Sequence, residues 1–327
     1  MKQKIRVALI YKSDYTFFNK NHFDQTTYYF FMNSLERNNE LEIKYIPCKT
    51  GYDCSKLKSN TDVILLANDN TDATPDELIN LKESQIPVIC RAGDPHWAKK
   101  YNHIQFHEKC KIDYYFNFMH EDYFYKFYPK DFNYKTITLG IEPVLFENLD
   151  FNLKNRIPTT IVNSGALGKN TLKSKIANRI LNPKRSGWYF YKLRTKCNDL
   201  YFVIHTRELE KKFPGSTYYE ILSKYCAAIA ATTYYPTIKY WETSAAGCLT
   251  FMEISKLNRG NYLGYQDNKT AIFINEKNYL DKFHAYLSDY NNPKWAEIAN
   301  AGREYTMKKF SNDNAVKELV NLMKNII

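Results

Sequence analysis

The segment Tyr234–Gly247 contains the side chains whose spacing is most informative about chemistry. Pro236 ends a loop, and Thr237 is placed to cap a helix whose first turn contains Lys239. Free N–H groups at that helix start, together with the ammonium group of Lys239, would bind a diphosphate. Glu242 lies one turn further on, where its carboxylate could accept hydrogen bonds from both hydroxyls of a ribose. An amphipathic helix with an ordinary surface Lys–Glu pair would have the same spacing.

A second candidate for phosphate binding is the loop that follows the predicted strand Thr159–Asn163. It reads Ser-Gly-Ala-Leu-Gly, with Gly165 at its second position and Lys169 and Lys173 behind it. Its backbone N–H groups and these two cations could bind the same diphosphate. Most glycine loops of this kind are simple turns. The prediction that this loop binds phosphate therefore requires that the loop and the 234–247 segment lie close together in the fold.

Two titratable side chains follow the apolar strand predicted at Pro87–Arg91, namely Asp94 and His96. Either could act as a general base that takes the proton of a reacting hydroxyl group. We rank Asp94 first, while His96 has a suitable ordinary pKa near neutral pH. A turn residue before Pro95 and a structural histidine are the competing interpretations.

The sequence offers one weak candidate for a metal site. His103 and His107 are four residues apart with Cys110 nearby, which resembles part of a zinc site, but no fourth ligand has suitable spacing. A helix face at the surface is the favoured interpretation. No Asp-x-Asp pair stands at a predicted strand end, so we expect neither a metal ion nor another cofactor.

The run Glu242-Thr-Ser-Ala-Ala-Gly247 resembles the donor-binding helix of GT-B glycosyltransferases, whose pattern is close to Glu-Ala-x-Ala-x-Gly. The resemblance continues through a glycine loop at 259–264, a strand at 271–274 and the terminal helices, as in group 1, family 4-like donor domains. It implies that Glu242 binds the ribose of a nucleotide-sugar. Retaining members carry a second glutamate eight residues earlier, where this chain has Tyr234, so the stereochemical outcome stays open.

The run Lys239-Tyr-Trp-Glu-Thr is also similar to the corresponding helix of phage DNA β-glucosyltransferases. In those enzymes the basic residue binds the donor phosphate, which implies that role for Lys239. Their catalytic aspartate follows an apolar strand of the first domain, which implies the same role for Asp94.

The elements that must position these residues are two sets of short apolar strands alternating with helices. The first set runs from Ile5–Tyr11 to Lys135–Leu139, with a helix start predicted at Thr74–Glu77, and the second set begins at Thr159. This alternation predicts an α/β protein of two Rossmann-like parallel-sheet domains facing across a cleft, which is the GT-B fold. We expect an acceptor domain at 1–150 and a nucleotide-sugar donor domain at 151–327, whose last helix could return to the N-terminal domain.

Charge is distributed unevenly between these two parts. Residues 1–150 carry 19 Lys and Arg against 21 Asp and Glu, whereas residues 151–327 carry 27 against 14. The densest block, 151–198, has eleven basic residues and no acidic one. Such a block attracts phosphate, nucleic acid or an anionic membrane surface.

These observations together predict a metal-independent glycosyltransferase, a hexosyltransferase that uses a nucleotide-sugar, most commonly a UDP-sugar. The acceptor could be a glycan, a lipid-linked glycan or DNA. A UDP-sugar epimerase on the same fold and a nucleic-acid-binding protein that uses the 151–198 block are the alternatives. Seven cysteines without a Cys-x-x-Cys pair, and no apolar run long enough for a signal peptide or a membrane span, predict a cytoplasmic protein, with peripheral contact at the inner membrane face left open.

Overall fold

A computed structural model describes residues 3–19, 26–69, 72–168, 171–181 and 187–327. The chain forms two compact units. The first contains Met1–Glu142 and Asn312–Ile327, and the second contains Pro143–Ser311.

The first unit is built on a six-stranded parallel sheet with strand order β2-β1-β4-β6-β7-β8. Its strands are short and mostly apolar because helices cover both faces of a parallel sheet. The strands of this unit, including two in a separate small sheet, are β1 Ile5–Lys12, β2 Leu41–Cys48, β3 Gly51–Asp53, β4 Val63–Leu66, β5 Glu77–Ile79, β6 Val88–Arg91, β7 Tyr114–Asn117 and β8 Tyr134–Thr136. The helices are α1 Thr26–Tyr28, which continues as a π-helix over Tyr29–Ser34, then α2 Leu81–Ser84, α3 His103–Cys110, α4 Glu121–Phe124 and, from the end of the chain, α13 Asn312–Lys324. Single 3₁₀ turns cover Thr16–Phe18, Cys54–Leu57 and Pro95–Trp97.

The helix start predicted at Thr74–Glu77 is wrong. Glu77–Ile79 is a strand that pairs in parallel with Gly51–Asp53, and a helix begins only at Leu81. The side-chain pattern typical of a helix start is worth about 1 kcal/mol, so pairing with a distant segment outweighs it. Gly51 permits this close approach, because a Cβ atom there would lie 3.2 Å from the carbonyl oxygen of Glu77.

The C-terminal helix α13 belongs to the core of the first unit. Its apolar face, which includes Val316, Leu319 and Val320, packs in the same buried cluster as Leu9 and Phe30. The same cluster contains Val63, Leu65 and Ile89 of the central strands, so α13 packs on one side of the sheet.

Ion pairs fasten the beginning of α13 to the same unit. The guanidinium group of Arg37 binds Oε1 of Glu142 at 2.6 Å and Oδ1 of Asp313 at 2.7 Å. The Asn312 side chain donates to Glu142 as well and accepts from the backbone N–H of Gly140. The last helix is therefore held by polar contacts at its start and by apolar contacts along its length.

The second unit contains a five-stranded parallel sheet with strand order β10-β9-β11-β12-β13. Its strands are β9 Ile157–Asn163, β10 Val203–His205, β11 Tyr225–Ala230, β12 Leu249–Glu253 and β13 Ile272–Ile274. Its helices are α5 Leu172–Leu181, α6 Gly187–Phe190, α7 Lys192–Cys197, α8 Thr206–Lys212, α9 Tyr218–Leu222, α10 Lys239–Ala245, α11 Tyr279–Leu287 and α12 Pro293–Lys309. Single 3₁₀ turns cover Pro143–Leu145, Leu153–Asn155 and Gly260–Leu263.

This strand order places a topological switch point between β9 and β11. In open parallel sheets, ligands bind beside the carboxyl ends of the strands at such a point. The loop after β9 and the segment leading from β11 to α10 therefore meet where a ligand is expected. Both segments contain residues that we predicted from the sequence to bind the donor.

Two general properties of the described residues complete the description. All seven cysteines are buried thiols outside any disulfide. No described helix combines the length and apolar character needed to cross a bilayer.

Candidate functional site

The loop that follows β9 has a backbone conformation that favours glycine. Gly165 has φ +96°, and its carbonyl oxygen accepts a hydrogen bond of 2.8 Å from Nε2 of His205. The backbone N–H of Arg207 donates to Nδ1 of the same ring, so Nε2 is the protonated nitrogen. Burial lowers the pKa of His205, which keeps this neutral form at pH 7. At the other end of the loop, the N–H of Gly168 is already bonded to Thr195 Oγ1 at 2.9 Å, so it is not among the free donors predicted for this loop.

Arg194, on α7, lies directly against this loop and was not among the residues predicted from the sequence. Its side chain is only 2% exposed, and Nη1 donates to the carbonyl oxygen of Ala166 at 3.3 Å. A Cβ atom on Gly165 would lie 2.5 Å from that same Nη1, so only glycine leaves room for the guanidinium group.

The other nitrogens of Arg194 have unused donor capacity. Nε and Nη2 are buried and have no hydrogen-bond partner within the described part of the chain. Burial also lowers the pKa of Arg194, although a guanidinium group stays charged in proteins. A buried cation with open donors beside a glycine loop is suited to an anionic ligand.

Helix α10 brings Lys239 and Glu242 together, as their spacing predicted. Nζ of Lys239 lies 2.8 Å from Oε2 of Glu242, and the hydroxyl of Tyr219 donates to Oε1 at 3.4 Å. Glu242 is completely buried, whereas the side chain of Lys239 is 16% exposed. The pair is therefore inside the protein, with the lysine as its accessible member.

Tyr218 connects this pair to the glycine loop. Its hydroxyl lies 2.9 Å from Ser164 Oγ, and Nζ of Lys239 lies 4.0 Å from the centre of its ring. Burial is the main cause that raises the pKa of Tyr218 to about 12. We use the term donor cluster for Gly165, Arg194, Tyr218, Lys239 and Glu242.

Thr237 does not cap α10 as predicted. The side chain of Ile238, at the N-cap position, cannot accept a hydrogen bond, and Oγ1 of Thr237 is buried with no partner among the described residues. Backbone carbonyls instead accept the hydrogen bonds of the first turn, since the backbone N–H of Tyr240 donates to the carbonyl oxygen of Thr237 at 3.0 Å.

The remainder of α10 is anchored firmly to its surroundings. The hydroxyl of Tyr240 donates to the carbonyl of Glu253 at 2.9 Å, and the ring of Trp241 stacks on Phe310. At the other end, Nη1 of Arg156 donates to the Ala246 carbonyl at 2.9 Å. A cation there complements the partial negative charge of a helix C-terminus.

Gly247 follows α10 with φ +77°, the left-handed backbone conformation that favours glycine just after a helix end.

A second buried acid, Glu253, ends strand β12 close to Arg194. Burial is the main cause that raises the pKa of Glu253 to about 8, and nearby Glu276 raises it further, while Arg194 and Lys192 oppose the shift. At neutral pH the group is largely protonated, so it does not neutralise the guanidinium group of Arg194. This leaves the positive charge of Arg194 available to a ligand.

Asp94 and His96, the candidate bases, are close together at the carboxyl end of β6 in the first unit. Asp94 is exposed and precedes the 3₁₀ turn Pro95–Trp97. His96 is partly buried, and its Nδ1 lies 3.4 Å from the hydroxyl of Tyr123. Burial lowers the pKa of His96, and the charge of Asp94 opposes that shift.

The backbone that carries these two residues is fixed by buried polar groups. Oδ1 of Asp69 accepts from the N–H of Gly93 at 2.7 Å, and the side-chain amide of Asn117 donates to the carbonyls of Ala92 and Gly93. Sequence reasoning missed these anchors, although Asp69 and Asn117 lie at or just beyond the ends of predicted strands.

The two lysines predicted behind the glycine loop have different outcomes. Lys169 lies outside the described residues. Lys173 lies on α5 and is exposed, and the structure gives it no contact with the donor cluster.

The two histidines of the weak zinc-site candidate contact aromatic side chains instead. Nδ1 of His103 lies 2.6 Å from the hydroxyl of Tyr128, and the ring of His107 stacks on Phe132. Within the described ranges, no group of three or more His, Cys, Asp or Glu side chains could hold a metal ion. His103 is buried rather than part of an exposed helix face, so the favoured surface interpretation is wrong for that residue.

Comparison with known proteins adds to this geometry. Residues 185–321, which include α10 and Arg194, match a family model described as glycosyl transferase-like. A search of the curated proteins finds no match.

Solved structures resemble the whole chain in fold at low sequence identity. A glycosyltransferase from Rickettsia africae ESF-5 is 11% identical with a TM-score of 0.57, and the match covers 99% of this chain and 98% of that one. Anabaena Alr3699/HepE in complex with UDP-glucose is 8% identical with a TM-score of 0.57, and the match covers 98% and 100%.

The pneumococcal O-GlcNAc transferase GtfA, in complex with UDP and GlcNAc, is 12% identical at a TM-score of 0.46. The match covers 81% of this chain, which spans only 56% of GtfA. The whole-chain matches to the Rickettsia and Anabaena structures show that the chain has the GT-B fold of glycosyltransferases. Its residues 185–321 match the glycosyl transferase-like family model.

Proposed function

We propose that the protein is a glycosyltransferase that moves a sugar from a UDP-sugar to an acceptor hydroxyl group without a bound metal ion. The donor cluster is the observation that carries this proposal. It combines a buried guanidinium group with open donors and a partly exposed ammonium group at the switch point of a parallel sheet. The GT-B fold and the glycosyl transferase-like model support the reaction class. They favour neither the epimerase nor the nucleic-acid-binding alternative.

The leaving group explains why two cations are needed. When the bond between the sugar C1 and the diphosphate oxygen breaks, negative charge grows on the diphosphate. Arg194 offers Nε–H and Nη2–H to its oxygens, and Lys239 offers a mobile ammonium group. These side chains supply the neutralising charge that a divalent cation supplies elsewhere.

Glu242 acts through an exchange of partners. In the structure its two oxygens are occupied by Lys239 and Tyr219. When Lys239 turns toward the diphosphate, Oε2 of Glu242 accepts hydrogen bonds from the ribose hydroxyls in place of the ammonium group. The diphosphate thus replaces Glu242 as the partner of the Lys239 ammonium group, and the ribose hydroxyls replace Lys239 as the partners of Glu242.

The acceptor hydroxyl forms the new bond to C1 and must lose its proton. Asp94 is the proposed base, since it is exposed on a backbone that buried polar groups hold in place. His96, two residues along, is the second candidate, and burial keeps it neutral and able to accept a proton at pH 7.

The proposal is tested by thermal shift and calorimetry with UDP-, GDP-, ADP- and TDP-sugars, each measured in excess EDTA. A true donor raises the melting temperature by mass action, and we expect UDP-sugars to do so undiminished by EDTA. Stabilisation that appears only with added Mg²⁺ or Mn²⁺ would contradict metal independence. A complete lack of response to every nucleotide-sugar would contradict the assignment of the donor cluster.

A further inference from the structure

Helix α5 presents a row of exposed apolar side chains to solvent. The exposed fractions are 73% for Leu172, 51% for Ile176 and 73% for Ile180. Their spacing of four residues places all three on one face of the helix. Single exposed apolar residues are ordinary, but a contiguous apolar row marks a surface that binds a partner.

The part of the sequence that contains this row carries charge of one sign. The helix lies within the block 151–198, which has eleven basic residues and no acidic one. Lys173 is exposed on α5 itself, and Lys154 is exposed elsewhere in the block. The sequence of α5 also contains Lys175 and Arg179.

Some basic residues of the block have partners inside the protein and do not contribute to this surface. Lys192 and Lys196 both pair with Glu276, and Arg156 and Arg194 are buried. These paired or buried cations lie before or after α5 in the sequence, and the exposed Lys173 of α5 is not among them.

We propose that α5 is a docking surface for an anionic lipid bilayer. A helix with an apolar face and neighbouring basic residues lies in the membrane plane, with its apolar side chains in the acyl boundary and its cations on the headgroups. Nucleic acid would use the cations but would gain nothing from three aliphatic side chains. The combination of apolar row and positive charge therefore favours a lipid surface.

None of the three apolar side chains belongs to the donor cluster, so lipid binding is tested without catalysis. The full-length protein is sedimented with vesicles of phosphatidylcholine containing 30% phosphatidylglycerol and with vesicles of phosphatidylcholine alone. We expect binding to the anionic vesicles, at least about tenfold weaker binding to the neutral ones, and weaker binding at 0.5 M NaCl because salt screens the charges.

The decisive variant replaces the apolar row by Leu172→Gln, Ile176→Gln and Ile180→Gln, which keeps good helix formers on an exposed face. We expect the variant to bind anionic vesicles about 30-fold or more weakly, with an unchanged melting temperature and unchanged affinity for UDP. Ile104→Gln with Leu257→Gln, which are 46% and 49% exposed elsewhere, is the matched control and should bind like the native protein.

Three outcomes would overturn the proposal. The triple variant could bind anionic vesicles as tightly as the native protein does. Neutral and anionic vesicles could bind equally well. Duplex DNA or RNA could bind while vesicles do not, which would assign the basic block to nucleic acid instead.

Discussion

Arg194 offers the sharpest test of the donor cluster, because a ligand-binding role and a structural role predict opposite changes in stability. Replacing Arg194 by Met keeps the length of the side chain and removes its charge and donors. The cost is the 3.3 Å hydrogen bond to Ala166, worth about 1 kcal/mol. The variant also removes a buried cation whose Nε and Nη2 have no partner in the described structure, and this removal stabilises the folded state. Replacing buried charged groups by apolar ones can stabilise a protein by about 1–4 kcal/mol.

The expected net effect of Arg194→Met is therefore a free energy of unfolding higher by up to about 3 kcal/mol. For a protein of this size that raises the melting temperature by about 2–4 °C per kcal/mol. In the same variant, loss of two charge-assisted hydrogen bonds to the diphosphate weakens UDP binding by about 3–6 kcal/mol. That corresponds to a dissociation constant about 150- to 20,000-fold higher.

Calorimetric titration with UDP and thermal unfolding without ligand measure these two changes separately. Arg207→Met, on the exposed surface of α8, is the matched control and should change neither quantity appreciably. An Arg194→Met protein that unfolds more easily and still binds UDP normally would show that Arg194 only supports the glycine loop, and the reasoning would fail.

Three further variants probe the other groups. Glu242→Gln should weaken UDP binding by about 1–3 kcal/mol, but should not weaken binding of 2′,3′-dideoxy-UDP; equal losses for both nucleotides in calorimetry would mean that Glu242 acts only through Lys239. Asp94→Asn should bind UDP-sugar normally and transfer sugar about 10²–10⁴-fold more slowly; undiminished turnover in a product assay would move the role of base elsewhere. Because burial raises the pKa of Glu253 from 4.5 to about 8, its proton is lost first in the unfolded chain, so stability should fall as pH rises between these values. Urea unfolding should find Glu253→Gln more stable than the native protein at pH 9 by a few kcal/mol, with little difference at pH 4; identical pH profiles would refute the shift.

Local sequence patterns predicted much of the fold. The strands predicted at Ile5–Tyr11, Pro87–Arg91 and Thr159–Asn163 lie within two residues of the observed β1, β6 and β9. These features depend on neighbours within about one turn or one strand. The spacing of Lys239 and Glu242 likewise determined their ion pair, because residues three apart on a helix share a face.

Contacts between distant segments decided the rest. The strand Glu77–Ile79 replaced a predicted helix start because it could pair with Gly51–Asp53. Thr237 lost its predicted capping role because the chain enters α10 through Ile238 in a helical conformation, so backbone carbonyls close the first turn. Neither outcome can be read from residue type alone, since each depends on where another part of the backbone lies.

The sequence by itself determined that parallel sheets would form and that a lysine and a glutamate would pair beside the switch point. Only the tertiary structure brought Arg194 under Gly165, 29 positions away along the chain, and enclosed Glu242 behind Lys239 and Tyr219. The physical reason is that burial removes water as a partner for these charges. The charge state and the available hydrogen-bond donors of these side chains therefore depend on which distant groups the fold places against them. The periodicity of the sequence does not predict those contacts.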